Sequence, residues 1–345
     1  MFLSAPPSAF RAPHWLASLL VFACLLKSGL FADELPKKVT IATWNLEWFF
    51  DHYTGDNASQ LAKEQSAPNR GQWEWRLAVT ANALAKLDAT IVCLQEVESR
   101  STVGKLCKRL KEEHRLDYRI AFVEGTDVFT EQDVCVLAQS GLIEYGRKEQ
   151  SKEMFDSREF YNLNKHIFCT FQWGSGADLV RLTLLNVHQR AQDDGTTIRS
   201  RQARLAHFYL APHIEAGEQV VLIGDTNTEV STEKATADND LGILRGLHTK
   251  EQSDDLFDCH ALLQPNDRAT HLSGKAFDRI LISPSLRHEE RGKKRLVLKS
   301  VSNRKDVCIR GTEPDEDHWN KYYEIPQKER DVSDHFPIVA EFEVR

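Results

Sequence analysis

The chain has 345 residues, a formal charge of −7 and 28% charged residues. That length holds one large domain with a substantial core, and the acidic balance argues against a protein that coats nucleic acid through a basic surface. It leaves room for an enzyme that cuts nucleic acid, because metal ions and a local basic patch can serve there.

The opening segment does not read as part of a fold. "WLASLLVFACLL", residues 15–26, is a short apolar run behind Arg11 and His14. It is too short to span a bilayer comfortably and reads as the signal segment of an exported chain, secreted or periplasmic. Cleavage after Ala32 would leave residues 33–345 as one domain, although Leu30 is a poor small-residue match for that cut. Cleavage before Cys24 would instead leave a lipid-anchored form, and an uncleaved anchor is the plain alternative. Seven cysteines occur, with no CxxC pair and no zinc spacing. Those beyond the leader permit disulfides in an exported protein, with the pairing open; Cys93 and Cys135 lie in apolar runs and are expected in the core.

The first expected strand is "KVTIATWNLEWF", which carries Asn45 near its end. A polar loop follows, then a helix, "QWEWRLAVTANALAKL", with Trp73, Leu77, Ala81 and Leu84 on one face. The strand "ATIVCLQEV" ends in Gln95 and Glu96. "DVCVLAQSG", "HIFCTFQW" and "VRLTLLNVH" come next, the last ending in Asn186 and His188. A second helix, "TTIRSRQARLAHFYLAPHI", aligns Ile198, Leu205 and Phe208, with Arg199, Arg201 and Arg204 decorating its surface. "EQVVLIGDTN" ends in Asp225 and Asn227, "FDRILIS" carries Asp278, and the final strand follows Asp334 and His335. Residues 287–311 form the only strongly basic region, read as a solvated hairpin or as a rim that attracts phosphate. Trp73, Trp75 and Tyr161 read as packing residues in preference to base-stacking platforms. The strands are rich in Val, Ile, Leu and Thr, and each helix precedes a strand with a polar end, an alternating, layered organisation.

These strand ends carry the chemistry. Singly, each has a bland reading: Asn45 caps a turn, Asp225 and Asn227 form an Asx turn, His188 is a buried ring, Asp278 pairs with Arg279 at the surface. Together they suggest one shared mouth, because a carboxylate beside an apolar run needs a metal or a donor to offset its desolvation. Glu and Asp oxygens with an Asn amide suit Mg2+ or Mn2+. Asp225 and Asn227 share a face if their strand continues to Asn227, and Gly224 allows a close turn beside them. Two histidines can bond phosphoryl oxygens or move a proton, and Asp278 can fix one imidazole's tautomer. No serine elbow, phosphate-binding glycine loop or HExxH helix is present.

"WNLEWF", "LQEV", "NVHQ", "GDTN", "FDRI" and "SDHFPI", in that order, resemble the motifs of the endonuclease/exonuclease/phosphatase superfamily, which includes the pancreatic-type deoxyribonucleases. The resemblance runs from about Val39 to Val344. It implies a four-layer α/β sandwich: two mixed, mostly antiparallel sheets packed face to face with outer helices. It implies a metal-dependent phosphoric ester hydrolase. With no covalent nucleophile in the set, direct water attack is expected. The export signal and the basic run 287–311 favour DNA or RNA as substrate, and a monomer is expected. Phospholipid phosphodiesterase or sugar and inositol phosphatase activity fits the same site, and a non-catalytic binding protein is the remaining alternative. Carried over, Glu96 is the main metal carboxylate with Asn45 beside it, and Asp334 binds metal. Asp225 positions or deprotonates the water, Asn227 supports the phosphate or metal, and His188 donates to a phosphoryl oxygen. His335, held by Asp278, accepts a proton or stabilises the phosphorane. Thr226 stands where an aromatic is common, "QRAQDDG" follows His188, and "VLAQSG" lacks the usual Ser-Arg, so no particular substrate transfers. Glu124 is a candidate support for His188, or a surface acid.

Overall fold

Alternation within the strands sets the layers. In Lys38–Phe49 (β1), Val39 and Ile41 point to one face while Ala42 and Trp44 point to the other, and all four are fully buried. A strand covered on both faces must lie inside a multilayer structure. The computed structural model describes residues 33–192, 195–312 and 314–345, and the predicted leader lies outside them. Among the described residues no helix is long and apolar enough to cross a membrane.

The first sheet holds β1, Ile91–Val97 (β2), Arg119–Phe122 (β3), Asp133–Ala138 (β4), and, from the far end of the chain, Leu296–Asn303 (β11) and Ile338–Val344 (β12), in the order β11-β12-β1-β2-β4-β3. The second holds Leu142–Gly146 (β5), Lys165–Trp173 (β6), Val180–His188 (β7), Val220–Asp225 (β8), Phe257–Asp258 (β9) and Asp278–Ile282 (β10), in the order β5-β6-β7-β8-β10-β9. One pair in each sheet is parallel, β1 with β2 and β7 with β8; the other pairs are antiparallel. A parallel neighbour needs a crossover, and each crossover carries a helix. Gln60–Gln65 (α1) and Arg70–Leu87 (α2) lead from β1 to β2; Arg100–His114 (α3) follows β2, and Lys152–Ser157 (α4) lies between β5 and β6. Thr196–Glu215 (α5) leads from β7 to β8, and Asp240–Arg245 (α6) and Asp315–Lys321 (α7) come later.

Ile41, Ile91 and Val136 of the first sheet pack on Phe171, Leu184 and Ile223 of the second. The outer face of the first sheet packs on α2 and α3 through Trp44, Leu94, Trp73 and Leu106, and that of the second on α5 through Leu185, Leu222, Leu205 and Leu210. This is the expected sandwich of two mixed, mostly antiparallel sheets with flanking helices. Truncating one such core leucine to alanine typically costs about 2–5 kcal/mol. All six cysteines of the described part are buried and unpaired, so the permitted disulfides are not formed. Three local expectations differ. Phe208 is half exposed, its ring edge on Phe160, because α5 turns that position away from the sheet. Arg199 is buried, not decorative, and donates to Asp240 Oδ2 at 2.9 Å. The basic region becomes edge strand β11 with its flanks: Leu296 pairs with Val344 and Asn303 with Ile338, so residues 287–295 lie at the sheet end opposite Asn45 and cannot rim the strand-end site.

Candidate active site

Register brings the polar ends together. Within the second sheet His188 lies beside Asp225, and Asp225 beside Asp278, in one row across three strands. Asn45 pairs with Gln95 across the parallel pair of the first sheet. Both parallel pairs therefore end at this mouth, the edge where ligands of open α/β sheets characteristically bind. Buried amides join the sheets below it: Gln95 Nε2 donates to Asn186 Oδ1 at 2.7 Å, and Asn186 Nδ2 donates to the Leu94 and Cys135 carbonyls.

The backbone bends to aim the carboxylates. Glu47, Trp48, Glu96 and Asn227 all have φ between 48° and 58°. The ladder shifts register between Asn45 and Phe49 and between Gln95 and Val97. Left-handed non-glycine residues at bulges cost energy that the surrounding contacts must offset. Here Glu96 Oε2 accepts the Trp48 N–H at 3.0 Å, and Asn45 Oδ1 accepts the Glu47 N–H at 2.9 Å. The second bond fixes the Asn45 amide. Its Nδ2 donates to Glu96 Oε1 at 3.0 Å and Asp225 Oδ2 at 2.9 Å, so Asn45 presents nitrogen to the cluster and holds two carboxylates together. Gly224, at φ 132°, passes so close to β7 that a Cβ would lie 2.0 Å from the Val187 carbonyl oxygen.

Two clusters result, Glu96–His188–Asp225 and His271–Asp334–His335, each with potential ligand atoms within 4.8 Å of one another. His188 Nε2 is 3.7 Å from Glu96 Oε1 and 3.6 Å from Asp225 Oδ2. His335 Nε2 is 3.7 Å from Asp225 Oδ2, which links the clusters. His335 Nδ1 is 2.8 Å from Asp278 Oδ2, a fully buried carboxylate that also accepts from Thr270 Oγ1 at 2.7 Å. Burial pushes Glu96 up to about 7, helped by Asp334, and drives His188 down to about 3. Burial also opposes charge on His335, but Asp278, Asp225 and Asp334 outweigh it and hold the imidazole well above its ordinary value. Their surroundings thus favour the neutral form of His188 and the protonated form of His335.

Of the residues expected at the mouth, Asn45, Glu96, His188, Asp225, Asp278, Asp334 and His335 come together. Asn227 sits at the rim: β8 stops at Asp225, the chain turns, Asn227 N–H donates to Asp225 Oδ1, and its Nδ2 donates to the Gln189 carbonyl. Asp278 makes no surface pair with Arg279, which is buried against Asp258 at 3.1 Å. Glu124 is exposed, and His188 Nδ1 has no hydrogen-bond partner among the described residues, so Glu124 does not support that ring. Sequence reasoning missed His271, Glu47 and His318. Residues 270–272 pair with 334–336, which sets His271 Nε2 3.4 Å from Asp334 Oδ2. Its Nδ1 accepts the Ser273 N–H, so Nε2 carries the hydrogen toward Asp334. Glu47 Oε2 accepts the Asp334 N–H at 2.9 Å and lies 3.0 Å from buried His318 Nδ1, which anchors α7 beside the mouth. Glu47 stood inside a quoted motif; the two histidines follow no local pattern.

Two cavities open on this centre. One, ≈ 760 Å³, is lined by Glu96 and His188; the other, ≈ 470 Å³, by His271 and Asp334; Trp319 lines both.

No family model matches the chain, and no curated protein matches it. Solved structures do. The human Nocturnin catalytic domain with bound sulfate is similar at TM-score 0.55 and 16% identity, over 90% of this chain and 96% of that one. A humanized D. rerio TDP2 gives 0.54 and 18%, over 89% and 100%. An endonuclease/exonuclease/phosphatase from Bacteroides vulgatus gives 0.54 and 15%, over 90% and 100%. The chain has the fold of the endonuclease/exonuclease/phosphatase superfamily.

Proposed function

We propose that the protein is a divalent-metal-dependent phosphodiester hydrolase acting on nucleic acid by direct attack of water. The observation that carries this reading is the single strand-end row His188–Asp225–Asp278, faced by Glu96, with His335 set between Asp225 and Asp278. The donor set fits a hard cation: Glu96 and Asp225 supply carboxylate oxygens and the nitrogen of His188 suits Mn2+ better than Mg2+, while Asp334 stands in the second cluster with His271 and His335. When bound, the cation would neutralise charge developing on the phosphoryl oxygens.

The chain's own residues do the rest. Asn45 holds Glu96 and Asp225 in register against their mutual repulsion. Asp225 takes the proton of the attacking water as the new P–O bond forms, the bond to the leaving oxygen breaks, and that oxygen takes a proton from solvent. His335, kept protonated by Asp278, donates from Nε2 to the phosphoryl group. Neutral His188, its Nδ1 buried, turns Nε2 toward Glu96 and Asp225 and would be the cation's nitrogen ligand. No side chain among the described residues at the mouth is placed as a covalent nucleophile, since Cys308 is buried with its Sγ against the Ser333 and His335 carbonyls. The larger cavity beside Glu96 is lined with aromatic rings as well as polar groups, a lining that suits a nucleobase beside its phosphate. A comparison structure of D. rerio TDP2 contains a single-strand DNA product, which agrees with a nucleic-acid substrate. We read the leader as an export signal and the enzyme as acting outside the cytoplasm.

The test is an activity panel on the purified chain: single-stranded DNA, duplex DNA, RNA, sphingomyelin and inositol phosphates, each with Mg2+, Mn2+ or chelator. Metal-dependent cleavage of DNA or RNA is expected. Hydrolysis confined to a lipid or inositol phosphate would overturn the substrate, and hydrolysis undiminished by chelator would overturn the mechanism.

A further inference from the structure

The cavity beside Glu96 and His188 has a wall that the hydrolytic row does not explain. Its lining includes Trp48, Phe129, Tyr161, Lys165, Arg190 and Trp319. Trp319 is 55% and Phe129 66% exposed, large rings left in water at the entrance to an otherwise polar mouth. Exposed rings cost solvation unless something covers them in use. Trp319 is also held in place. Its neighbour His318 is buried between Glu47 and Asp331, and its own ring rests edge-on against Trp48, with centroids 6.3 Å apart. The ring is thus braced by Trp48 while much of it stays open.

The charges near the cavity speak against duplex binding. Lys165 is already taken by Asp127 at 3.0 Å and Gln132 at 2.8 Å, and residues 287–295, the most basic stretch, lie at the opposite end of the sandwich. Little cationic surface is left here to track two phosphate backbones. A cavity of ≈ 760 Å³ has room for about one nucleotide unit, and its rings suit a base whose faces are free. Bases present free faces only where they are unpaired.

We infer that this cavity binds one unpaired nucleobase next to the scissile phosphate, stacked on Trp319, so that the enzyme acts on single-stranded ends or loops and not within duplexes. The inference rests on the proposed hydrolase reading. Trp319 is then a specificity-determining residue, and Arg190 at the rim meets the adjoining backbone phosphate. Lipid would use the same exposed rings by insertion, and that is the outcome the experiment separates.

The experiment compares three oligonucleotides in Mn2+: a short single strand, the same strand with one abasic site at successive positions, and its duplex. Trp319→Ala and Trp319→Phe are measured beside wild type. Wild type is expected to show a KM ~5- to 100-fold higher when the abasic site falls next to the cleaved bond, the range of one base–aromatic stack. In Trp319→Ala that base dependence should collapse, while Trp319→Phe retains part of it. Quenching of tryptophan fluorescence by the uncleaved single strand, lost in Trp319→Ala, should accompany it. Cleavage with equal KM for base-bearing and abasic strands, or a preference for the duplex, would overturn the inference and leave the hydrolase reading intact. Cleavage of none of the three with any metal would instead sink the nucleic-acid reading itself. Trp319-dependent binding to phosphatidylcholine vesicles without fluorescence quenching by the strand would replace the base with a lipid surface.

Discussion

Replacing Asp278 with asparagine keeps the shape of a fully buried side chain and removes only its charge. In the native protein its Oδ2 accepts from Thr270 Oγ1 and faces His335 Nδ1 at 2.8 Å. Burial disfavours charge on that imidazole, and Asp278 is the foremost group opposing the effect, ahead of Asp225 and Asp334. A hydrogen bond between charged groups contributes about 1.5–3 kcal/mol, and each 1.36 kcal/mol is about tenfold in rate. If His335 acts as a proton donor to the phosphoryl group, Asp278→Asn should therefore lower kcat by about 10- to 100-fold, with KM little changed. The sign of the pH effect follows from the same contact. A raised histidine is protonated, and supports both activity and folding, until pH climbs through its folded-state value. Weakening that support moves the alkaline limb of the kcat profile to lower pH in the variant. The assay is kcat and KM against pH for wild type and Asp278→Asn, with circular dichroism to confirm folding. A folded variant with unchanged turnover and an unmoved alkaline limb would refute the reasoning.

Three further outcomes follow from the geometry. Glu96, pushed up to about 7 in the metal-free protein, must release its proton to bind a cation, so Mn2+ affinity by calorimetry should rise about tenfold per pH unit up to about pH 7 and level off above it. Gly224→Ala should cost several kcal/mol in urea unfolding, about 3 or more, because φ 132° and the Val187 carbonyl both reject a Cβ. His318 is pushed up to about 9: burial opposes its charge, but Glu47 and the neighbouring acids outweigh it. Its contribution is complete below about pH 6.5 and lost as pH rises through about 9, so cleavage by a protease around residues 311–325 should increase across that window. His318→Gln should be cut readily at every pH, and equal resistance of the two proteins would contradict the anchoring role.

The strand ends were legible because they combine an apolar period-two run with a polar stop, a pattern that local sequence carries. That is why Glu96, His188, Asp225 and His335 could be named together. The orientation of Asn45 was not legible, since it depends on a left-handed bulge at Glu47 and Trp48 that no propensity rule requires. Asn227 left the row for the same reason: β8 stops two residues earlier than alternation suggests. His271 and His318 reach the mouth from outside the main strands, one by a bridge between residues 271 and 335 and the other on a seven-residue helix. Such placement is set by long-range pairing, which local periodicity does not encode. The basic region shows the converse limit. Its composition suggested a phosphate rim, but β-register, not charge, decides at which end of a strand a residue lies: residues 287–295 fall at the far end and residues 304–311 at the Asn45 end.

In the proposed mechanism the Glu96–His188–Asp225 cluster holds a cation needed for hydrolysis. The most direct measurement is the rate of cleavage of a fluorescent single-stranded oligonucleotide by wild type and Glu96→Gln, each titrated with Mn2+ from chelator-treated protein. Wild type should be inactive without metal and saturate with it. The variant should need a much higher Mn2+ concentration and remain about a hundredfold or more slower at saturation. Full wild-type activity in chelator, or an unchanged metal requirement in folded Glu96→Gln, would contradict the account.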